Sequence, residues 1–354
     1  MSAELPAIGK ISPEVFAEHI FPHLGTNHPE ILFGPQSGGD VGVVRVSDGR
    51  VMATTTDPVF VVPQYGWSRA AWFAVHIIAS DAATSGLTPS LMTVDLNLPL
   101  SMATEDFVAF WKAFATALAN LDLAVLSGHT GRYQGTDFPM VGGATVIAVG
   151  PEDRYVTPNM ARPGDALLCT KGAAIESTAL LAATFPEYIR RQLGDDVYRA
   201  ADALFEQMSV VEDARWAASV GVRDAGVSAM HDATECGVIG GVYEIAECSR
   251  LGVELVEEEV IIRPEVQAVS RLAGIDPLTA ISEGTLLITC RQHAVQGLLR
   301  TLSEHGLETR VIGRMLPYDQ GRWRIRPGLR QPLVHPRVDP FWAALGRAAE
   351  EWRA

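Results

Sequence analysis

The sequence predicts a mixed α/β protein with two domains, and three observations carry that prediction. Its 354 residues correspond to roughly two domains at about 150 residues each. Segments typical of strands alternate with segments typical of amphipathic helices in both halves. A stretch rich in Pro and Gly, residues 150–165, interrupts this alternation and marks a boundary. We therefore predict domains at 1–155 and 156–325, followed by an extension at 326–354.

The first predicted elements place two aspartates at their ends. Residues 51–57 form a strand rich in Thr and Val that ends in Asp57. Ser68 is expected to cap a helix whose apolar positions recur at helical spacing. Asp81 falls near the C-terminal end of that helix, where the negative end of the helix dipole disfavours a carboxylate. A bound cation would explain its placement there.

Three further strands and a helix complete the first predicted domain. Residues 91–96 form a strand, and an amphipathic helix follows with an apolar face from Phe107 to Leu121. Residues 123–127 and 141–149 are predicted to be a pair of strands on either side of a turn, Gly128-His-Thr-Gly131.

The second half continues the mixture without a regular βαβ succession or a Rossmann Gly-x-Gly-x-x-Gly. The predicted elements are a strand at 165–170, a small-residue loop at 171–174 leading into a helix, a helix at 237–250, a strand at 285–290, an extended surface strap at 327–340 and a closing helix at 341–352. Strands and helices in mixed order predict an α+β arrangement for this half.

Composition excludes several classes of partner. The net charge is −14, which argues against nucleic acid and against anionic membranes. No segment approaches the roughly 20 apolar residues that span a bilayer, and the N-terminal residues have neither the basic start nor the apolar run of a signal peptide. The four cysteines are scattered without a C-x-x-C pair. We therefore expect reduced thiols in a cytoplasmic protein, with neither disulfides nor a zinc site.

Four acidic turns stand where strands or helices give way to small residues. They contain Gly38-Gly-Asp40, Asp57, Asp81 and Asp232. Each alone has a structural alternative: a tight turn for the first two, and helix capping by Asp232 or Thr234 for the last. Together they fit a nucleotide site, because magnesium ions on a triphosphate need several oxygen ligands from separate elements.

The order of the motifs resembles the AIR synthase (PurM-like) superfamily. The segments in question are Gly-Gly-Asp-Val-Gly-Val-Val, Thr-Thr-Asp, Ser-Asp-Ala-Ala-Thr-Ser-Gly-Leu-Thr-Pro, Gly-His-Thr, Arg-Pro-Gly-Asp, Met-His-Asp-Ala-Thr-Glu-Cys-Gly-Val and Ser-Glu-Gly-Thr-Leu-Leu, between about residues 31 and 315. The superfamily includes selenophosphate synthetase, thiamine-phosphate kinase and HypE, the hydrogenase-maturation dehydratase. The sequence is most similar to HypE and the AIR synthase-related proteins. Their Arg-Asp-Pro-Thr-Arg-Gly-Gly loop resembles His231-Asp-Ala-Thr-Glu-Cys-Gly237.

The resemblance implies a PurM-like two-domain fold. The N-terminal domain would pair with a second copy to form a shared β-barrel in a homodimer, and an α+β domain would follow. ATP and Mg2+ would bind in a cleft at the dimer interface.

The resemblance also implies the site residues. Asp40, Asp57 and Asp81 would bind Mg2+ or phosphate. Contacts to the nucleotide are implied for Gly38 and Gly39 in the phosphate loop, for Gly128, His129 and Thr130, for Thr170, Lys171 and Gly172 in the ligand cleft, and for Asp232 at its far side. The candidates for catalysis are His129, Asp232 and Lys171. Lys171 has a solvent-exposed alternative, and His129 a purely structural one.

Departures from the family narrow the expected function. HypE ends in a cysteine that receives a carbamoyl group, whereas this sequence ends Glu350-Glu-Trp-Arg-Ala354 and its last cysteine is Cys290. We therefore do not expect that chemistry on a mobile tail. Thiamine-phosphate kinase carries adjacent aspartates in its first loop, and an aspartate at the position of His129. Imidazole is a poor ligand for magnesium, so His129 is expected outside the magnesium site.

The leading expectation is an ATP- and Mg2+-dependent enzyme that phosphorylates an amide or carbonyl oxygen to make it a leaving group. The alternatives are a small-molecule kinase similar to thiamine-phosphate kinase and a nucleotide-binding scaffold without turnover. A small-molecule substrate is expected, and a maturation-type protein partner fits the resemblance.

Overall fold

The computed structural model describes Leu5 and residues 8–352, and within these residues it contains two mixed β-sheets flanked by helices. The N-terminal elements are α1 (Pro13–Val15), β1 (Ile31–Phe33), β2 (Gly42–Ser47), β3 (Arg50–Phe60), α2 (Trp67–Ala83), β4 (Pro89–Leu98), α3 (Thr104–Asn120), β5 (Ala124–Arg132) and β6 (Met140–Pro151). These strands form the first sheet, in the order β1-β2-β3-β6-β4-β5.

The second sheet follows residue 165 and has the order β13-β12-β9-β11-β7-β10-β8. Its strands are β7 (Ala166–Thr170), β8 (Val227–Asp232), β9 (Gly252–Val256), β10 (Leu286–Cys290), β11 (Thr309–Leu316), β12 (Arg322–Arg326) and β13 (Leu329–Pro332). The helices of this half are α4 (Ile175–Thr184), α5 (Pro186–Leu193), α6 (Asp195–Asp202), α7 (Val211–Ser219), α8 (Gly237–Cys248), α9 (Pro264–Ala273), α10 (Val295–Glu304) and α11 (Pro340–Glu351). The predicted mixed α/β class is confirmed.

Helix α2 lies where the two halves meet. Ile78 and Ala82 on α2 share one hydrophobic core with Phe114 of α3, and also with Met230 of β8 and Ile288 of β10 in the second sheet. The apolar periodicity of α2 continues around much of its surface, as expected of a helix buried between layers. This packing fixes the C-terminal end of α2, and with it Asp81, beside the end of β8.

Strand β5 replaces the predicted turn at 128–131. The chain passes straight through these residues, and β5 pairs in parallel with β4, not with β6. The glycines serve close strand packing: a Cβ on Gly128 would lie 2.4 Å from the Val94 carbonyl oxygen. The sequence signal was therefore misread, because a glycine that lets backbones approach closely resembles a glycine in a turn.

One further local prediction is wrong. Helix α2 begins at Trp67 with Gly66 in the capping position, so Ser68 lies inside the first turn and does not cap it. The predicted extended surface strap at 327–340 is extended and largely exposed, and it also contains β13, which pairs with β12 as an antiparallel edge hairpin of the second sheet. Basic residues in this hairpin, such as Arg326, pair with the buried Glu257, which anchors the segment.

The central strands of the second sheet are covered on both faces. Every residue of β7, β8 and β10 is buried. One face of these strands packs on α2, α7 and α10, and the other packs on α8. Among the described residues, no helix is long and apolar enough to cross a membrane.

Candidate active site

Four aspartates from both halves of the chain meet at one place. Asp40 lies in the loop between β1 and β2, Asp57 on β3, Asp81 near the end of α2 and Asp232 at the end of β8. The carboxyls of Asp57, Asp81 and Asp232 lie close enough for each to influence the pKa of its neighbours. Thr55 Oγ1 donates a further hydrogen bond of 2.9 Å to Asp81 Oδ2. The structure thus brings the three predicted metal ligands together and adds Asp232 to them.

Burial and mutual repulsion make this cluster costly to ionise. Desolvation, followed by the charges of Asp232, Asp57 and Asp40, raises the pKa of Asp81 well above its ordinary value. Desolvation also raises the pKa of Asp57, and together with the charge of Asp40 it raises the pKa of Asp232 to about 6. The neutral form of Asp81 is therefore favoured over the charged form, and a cation at this place would be favourable.

A buried histidine connects the cluster to helix α8. His231 Nδ1 lies 2.7 Å from Asp40 Oδ1, and His231 Nε2 lies 2.9 Å from Glu244 Oε2. Desolvation lowers the pKa of His231, but the interactions with Asp40 and Glu244 outweigh it and raise the pKa well above its ordinary value. His335 Nε2 approaches the other oxygen of Glu244 at 3.6 Å. A chain of alternating carboxylates and imidazoles thus runs from Asp40 to the C-terminal segment.

Glu283, in the loop before β10, adds a second buried carboxyl beside Asp232. Both of its carboxylate oxygens are buried without a hydrogen-bond partner. Desolvation, followed by the charges of Asp232 and Glu176, raises the pKa of Glu283 well above its ordinary value. Glu176 accepts a hydrogen bond of 2.9 Å from the Glu283 backbone N–H, and desolvation raises its pKa to about 8.

The N-terminal segment supplies a cation to the same cluster. The Lys10 backbone N–H donates a hydrogen bond of 3.0 Å to Glu235 Oε2. Desolvation lowers the pKa of Lys10, but the negative charges of Glu244, Asp40, Asp81 and Asp57 outweigh it and raise the pKa. The ammonium of Lys10 therefore remains charged and offsets part of the negative potential.

The predicted phosphate loop lies against α8. Gly38 has φ of +76°, and a Cβ there would lie 2.7 Å from the Glu244 carbonyl oxygen. Gly39 packs on the ring of Phe33. A side chain at position 38 would push the loop away from the helix, so the glycine keeps Asp40 within reach of His231.

Thr170, Lys171 and Gly172 have internal partners. Lys171 Nζ lies 2.9 Å from Asp213 Oδ2 and 2.7 Å from the Ser209 carbonyl oxygen. Thr170 Oγ1 donates to Asp213 Oδ1 at 2.6 Å, and a Cβ on Gly172 would lie 2.5 Å from the Ile261 carbonyl oxygen. The solvent-exposed alternative for Lys171 is wrong. These contacts favour a structural role over the predicted place in the ligand cleft.

Gly128, His129 and Thr130 lie on the edge strand β5. His129 is exposed, its Nε2 lies 2.7 Å from Tyr133 Oη, and in the parallel register it is opposite Asp95. In the described part of the chain, the hydrogen bond of His129 is to Tyr133 and does not reach the aspartate cluster. Their predicted role at the nucleotide stays a prediction.

The two halves of the chain match the two domains of one protein family. Residues 38–151 match the N-terminal domain, and residues 162–324 the C-terminal domain, of the AIR synthase related proteins. The chain belongs to the AIR synthase related protein family. It is 25% identical over 303 residues to the carbamoyl dehydratase HypE of Escherichia coli K12, across 84% of this chain and 85% of that protein.

Solved structures of HypE share the fold. A HypE–HypF complex matches with a TM-score of 0.73 and 18% identity, over 91% of this chain and 99% of that one. HypE in complex with ATP matches with a TM-score of 0.63 and 19% identity, over 94% and 97% of the two chains. The predicted AIR synthase-related, PurM-like two-domain fold is confirmed.

Sequence reasoning missed several residues that line this AIR synthase-related site. They are Lys10, Glu176, His231, Glu244, Glu283 and His335. Two of them stood in motifs that carried the resemblance: His231 takes the position of the first arginine of the Arg-Asp-Pro-Thr-Arg-Gly-Gly loop, and Glu283 belongs to Ser-Glu-Gly-Thr-Leu-Leu. The departure from arginine at 231 was the available signal. The sequence around Glu244 and Lys10 contained no such signal, because only the fold brings these residues near Asp40.

Proposed function

We propose that this protein is an ATP- and Mg2+-dependent enzyme that phosphorylates the oxygen of a carbamoyl-type amide and eliminates it as phosphate. The observation that carries the proposal is the convergence of Asp40, Asp57, Asp81 and Asp232 beside the glycine loop. The relatives named carbamoyl dehydratase, and the HypE structure in complex with ATP, support the reaction class.

The donor chemistry fits Mg2+. Asp57 and Asp81 offer carboxylate oxygens, and Asp40 Oδ2 is a buried oxygen without a partner. When bound, Mg2+ would neutralise charge on the phosphates of the nucleotide. Burial and the neighbouring carboxylates raise the pKa of Asp81, so the positive charge of a divalent ion would favour the ionised carboxylates of the cluster.

Glu283 and Asp232 are the candidates for the proton transfers. Conversion of a primary amide to a nitrile removes the carbonyl oxygen as phosphate and both protons from the nitrogen, so bases must stand close to the amide. A carboxylate whose pKa is raised toward neutrality is a better base than an ordinary one. The pKa of Asp232 is raised to about 6, and that of Glu283 is raised well above its ordinary value. Glu283 also has no protein partner for its carboxylate oxygens.

The substrate amide comes from outside this chain in our proposal. All four cysteines are reduced, three are buried, and Cys248 is partly buried. Desolvation raises the thiol pKa of Cys236, the one beside the cluster, to about 12, so it is a poor nucleophile. A small molecule, or a thiol carried by a maturation-type partner protein, would then present the carbamoyl group. The HypE–HypF complex is a precedent among the relatives for a protein partner.

We also propose a homodimer that pairs the exposed edge of the first sheet. Nearly every residue of β5 is exposed, and Val125 and Leu126 are 41% and 58% exposed. An open edge with apolar side chains favours pairing with a second strand. Such a dimer would cover β5 and bring Gly128, His129 and Thr130 to the interface, where the predicted nucleotide cleft lies. The reduced thiols are in keeping with a cytoplasmic protein.

The test measures nucleotide binding and product together. Calorimetry should show ATP binding that requires Mg2+, and Asp57→Asn should weaken it by at least about 10-fold, the loss of one charge-assisted ligand. The melting temperature without ligand should remain near that of the wild type. Asp48→Asn, at an exposed turn, is the matched control.

Product analysis separates the alternatives. A panel of primary amides and carbamoyl thioesters, assayed for phosphate release and for a nitrile band in the infrared, tests the dehydration. Release of ADP with a phosphorylated acceptor would instead identify a kinase, and ATP binding without turnover would identify a scaffold. Either result would overturn the proposed reaction.

A further inference from the structure

Three side chains at the end of β8 and in the first loop form a compact donor set. Asp40, His231 and Asp232 each offer one ligand atom, and these atoms all lie within 4.8 Å of one another. The side chains of His231 and Asp40 are 3% and 8% exposed, and Asp232 is 1% exposed. Two carboxylates and an imidazole at this spacing are held by the sheet on one side and by the glycine loop on the other.

Two oxygens of this set have no protein partner. Asp40 Oδ2 and Asp232 Oδ2 are both buried without a hydrogen bond, although buried polar atoms are nearly always paired. Oδ1 of Asp40 is held by His231 Nδ1 at 2.7 Å, and Asp232 is the last residue of the fully buried strand β8. The unpaired oxygens are therefore not the result of a loose local structure.

The surroundings of His231 are those of a metal-binding imidazole. A histidine that binds a metal through one ring nitrogen usually donates its other N–H to a carboxylate, which fixes the ring. Glu244 Oε2 stands 2.9 Å from His231 Nε2 in that position, and His335 lies behind Glu244. His231 Nδ1 faces Asp40, so a metal ion there would replace the proton that the two groups share.

We propose that Asp40, His231 and Asp232 bind a divalent transition-metal ion such as Mn2+, Fe2+ or Zn2+. Mg2+ takes oxygen ligands almost exclusively, whereas these ions accept an imidazole nitrogen together with carboxylates. The site adjoins the Mg2+ position of the proposed function and shares Asp40 and Asp232 with the aspartate cluster, so with this metal bound Glu283 is left as the candidate base of that function. It would give this chain a metal preference that an arginine at position 231 could not provide.

The first experiment uses the wild-type, full-length chain without nucleotide. One equivalent of MnCl2 is added to metal-free protein, and electron spin echo spectroscopy is recorded. We expect modulation from a directly bound 14N nucleus, and competition in which Zn2+ displaces Mn2+ while Mg2+ does so only at a concentration at least about 10-fold higher. A spectrum without nitrogen coupling, or displacement by equimolar Mg2+, would overturn the proposal. That result would show that His231 is only an ion-pair partner of Asp40.

Variants locate the nitrogen. His231→Asn should abolish the 14N coupling and weaken Zn2+ binding more than Mg2+ binding. Glu244→Gln should keep the coupling and weaken Zn2+ binding by about 10- to 100-fold, as measured for such supporting carboxylates. His293→Asn, an exposed histidine on the second domain, is the control for adventitious binding. Unchanged coupling in a folded His231→Asn variant contradicts the proposal. If that variant does not fold, the 14N coupling in the wild type and in Glu244→Gln still tests whether His231 binds the metal ion.

The test of the transition-metal site and the test of the proposed function can fail independently of each other. Loss of Mg2+-dependent ATP binding in the Asp57→Asn variant tests the nucleotide site alone. Nitrogen coupling of Mn2+ in the absence of nucleotide tests the transition-metal site alone.

Discussion

Two buried sets of charged side chains in this protein differ in how many of their polar atoms have a hydrogen-bond or ion-pair partner. The Lys171–Asp213 pair lies in the second domain, with side chains 8% and 2% exposed. Thr170 donates a further hydrogen bond to Asp213, and Lys171 donates one to the Ser209 carbonyl oxygen. The aspartate cluster around Asp81 has a surplus of carboxylates instead. Asp40 Oδ2 and Asp232 Oδ2 in this cluster have no partner.

The difference separates structure from function at residues that look alike in the sequence. Lys171 and Asp232 both follow a buried strand and precede small residues, and both were predicted to be ligand residues. Removing one partner of a fully paired buried charge is costly, and such a charge has no unpaired atom to offer a ligand. A buried group with repelling neighbours and unpaired atoms is costly in the free protein, and a ligand can remove that cost.

The largest change in the free energy of unfolding is expected at the Lys171–Asp213 pair. Asp213→Ala leaves the Lys171 ammonium buried without its counter-charge, so the free energy of unfolding should fall by about 3–5 kcal/mol. Glu212→Ala, the preceding residue on α7, removes an exposed pair with Arg215 and should cost less than about 1 kcal/mol. Chemical denaturation measures both. Similar values for the two variants would contradict the structural role of the pair.

A smaller, pH-dependent effect is expected at Glu176. Its pKa is raised to about 8 in the folded protein, chiefly by desolvation, so the folded state binds the proton more tightly than the unfolded state does. The stability should be highest below the ordinary pKa of a glutamate and should fall as the pH rises toward 8. Denaturation curves between pH 5 and 8.5 should show a pH dependence of stability that Glu176→Gln reduces by an amount corresponding to about one proton. Glu187→Gln, with a side chain 74% exposed in the wild type, should keep the slope.

The smallest change in the free energy of unfolding is expected in the aspartate cluster around Asp81. Burial and the neighbouring carboxylates favour the neutral form of Asp81, so the neutral Asp81→Asn in the presence of a chelator should change the free energy of unfolding by less than about 1 kcal/mol. The same variant should lose the stabilisation that divalent ions and ATP give the wild type. A fall of more than about 2 kcal/mol without metal would show that Asp81 is structural.

Long, strongly patterned elements could be predicted, and the close contacts between them could not. The apolar periodicity of α2 and α3 and the strand pattern of β3 lie in the local sequence, so their existence was evident. The second half of β5, residues 128–131, was mistaken for a turn because the close approach of Gly128 to Val94 is a property of two strands and not of one segment. The partners of Lys171 come from residues 207–213, so no local pattern showed its burial.

Contacts between distant parts of the chain also limited what could be predicted of the candidate active site. The acidic turns identified Asp40, Asp57, Asp81 and Asp232, since carboxylates at element ends are visible one by one. Neither Glu244 nor Lys10 stood out, because a charged residue on a helix or near a terminus usually faces solvent. The position of His231 between Asp40 and Glu244 spans 191 residues in one direction and 13 in the other.

By itself the sequence determined which residues alternate between strand and helix, which family the chain belongs to and which carboxylates end its elements. These properties depend on local spacing and on the order of short motifs. Tertiary structure decided which charges share one buried volume, because desolvation and Coulomb interaction depend on distance in space. That is why one set of buried ions is paired, and another keeps unpaired oxygens around an imidazole.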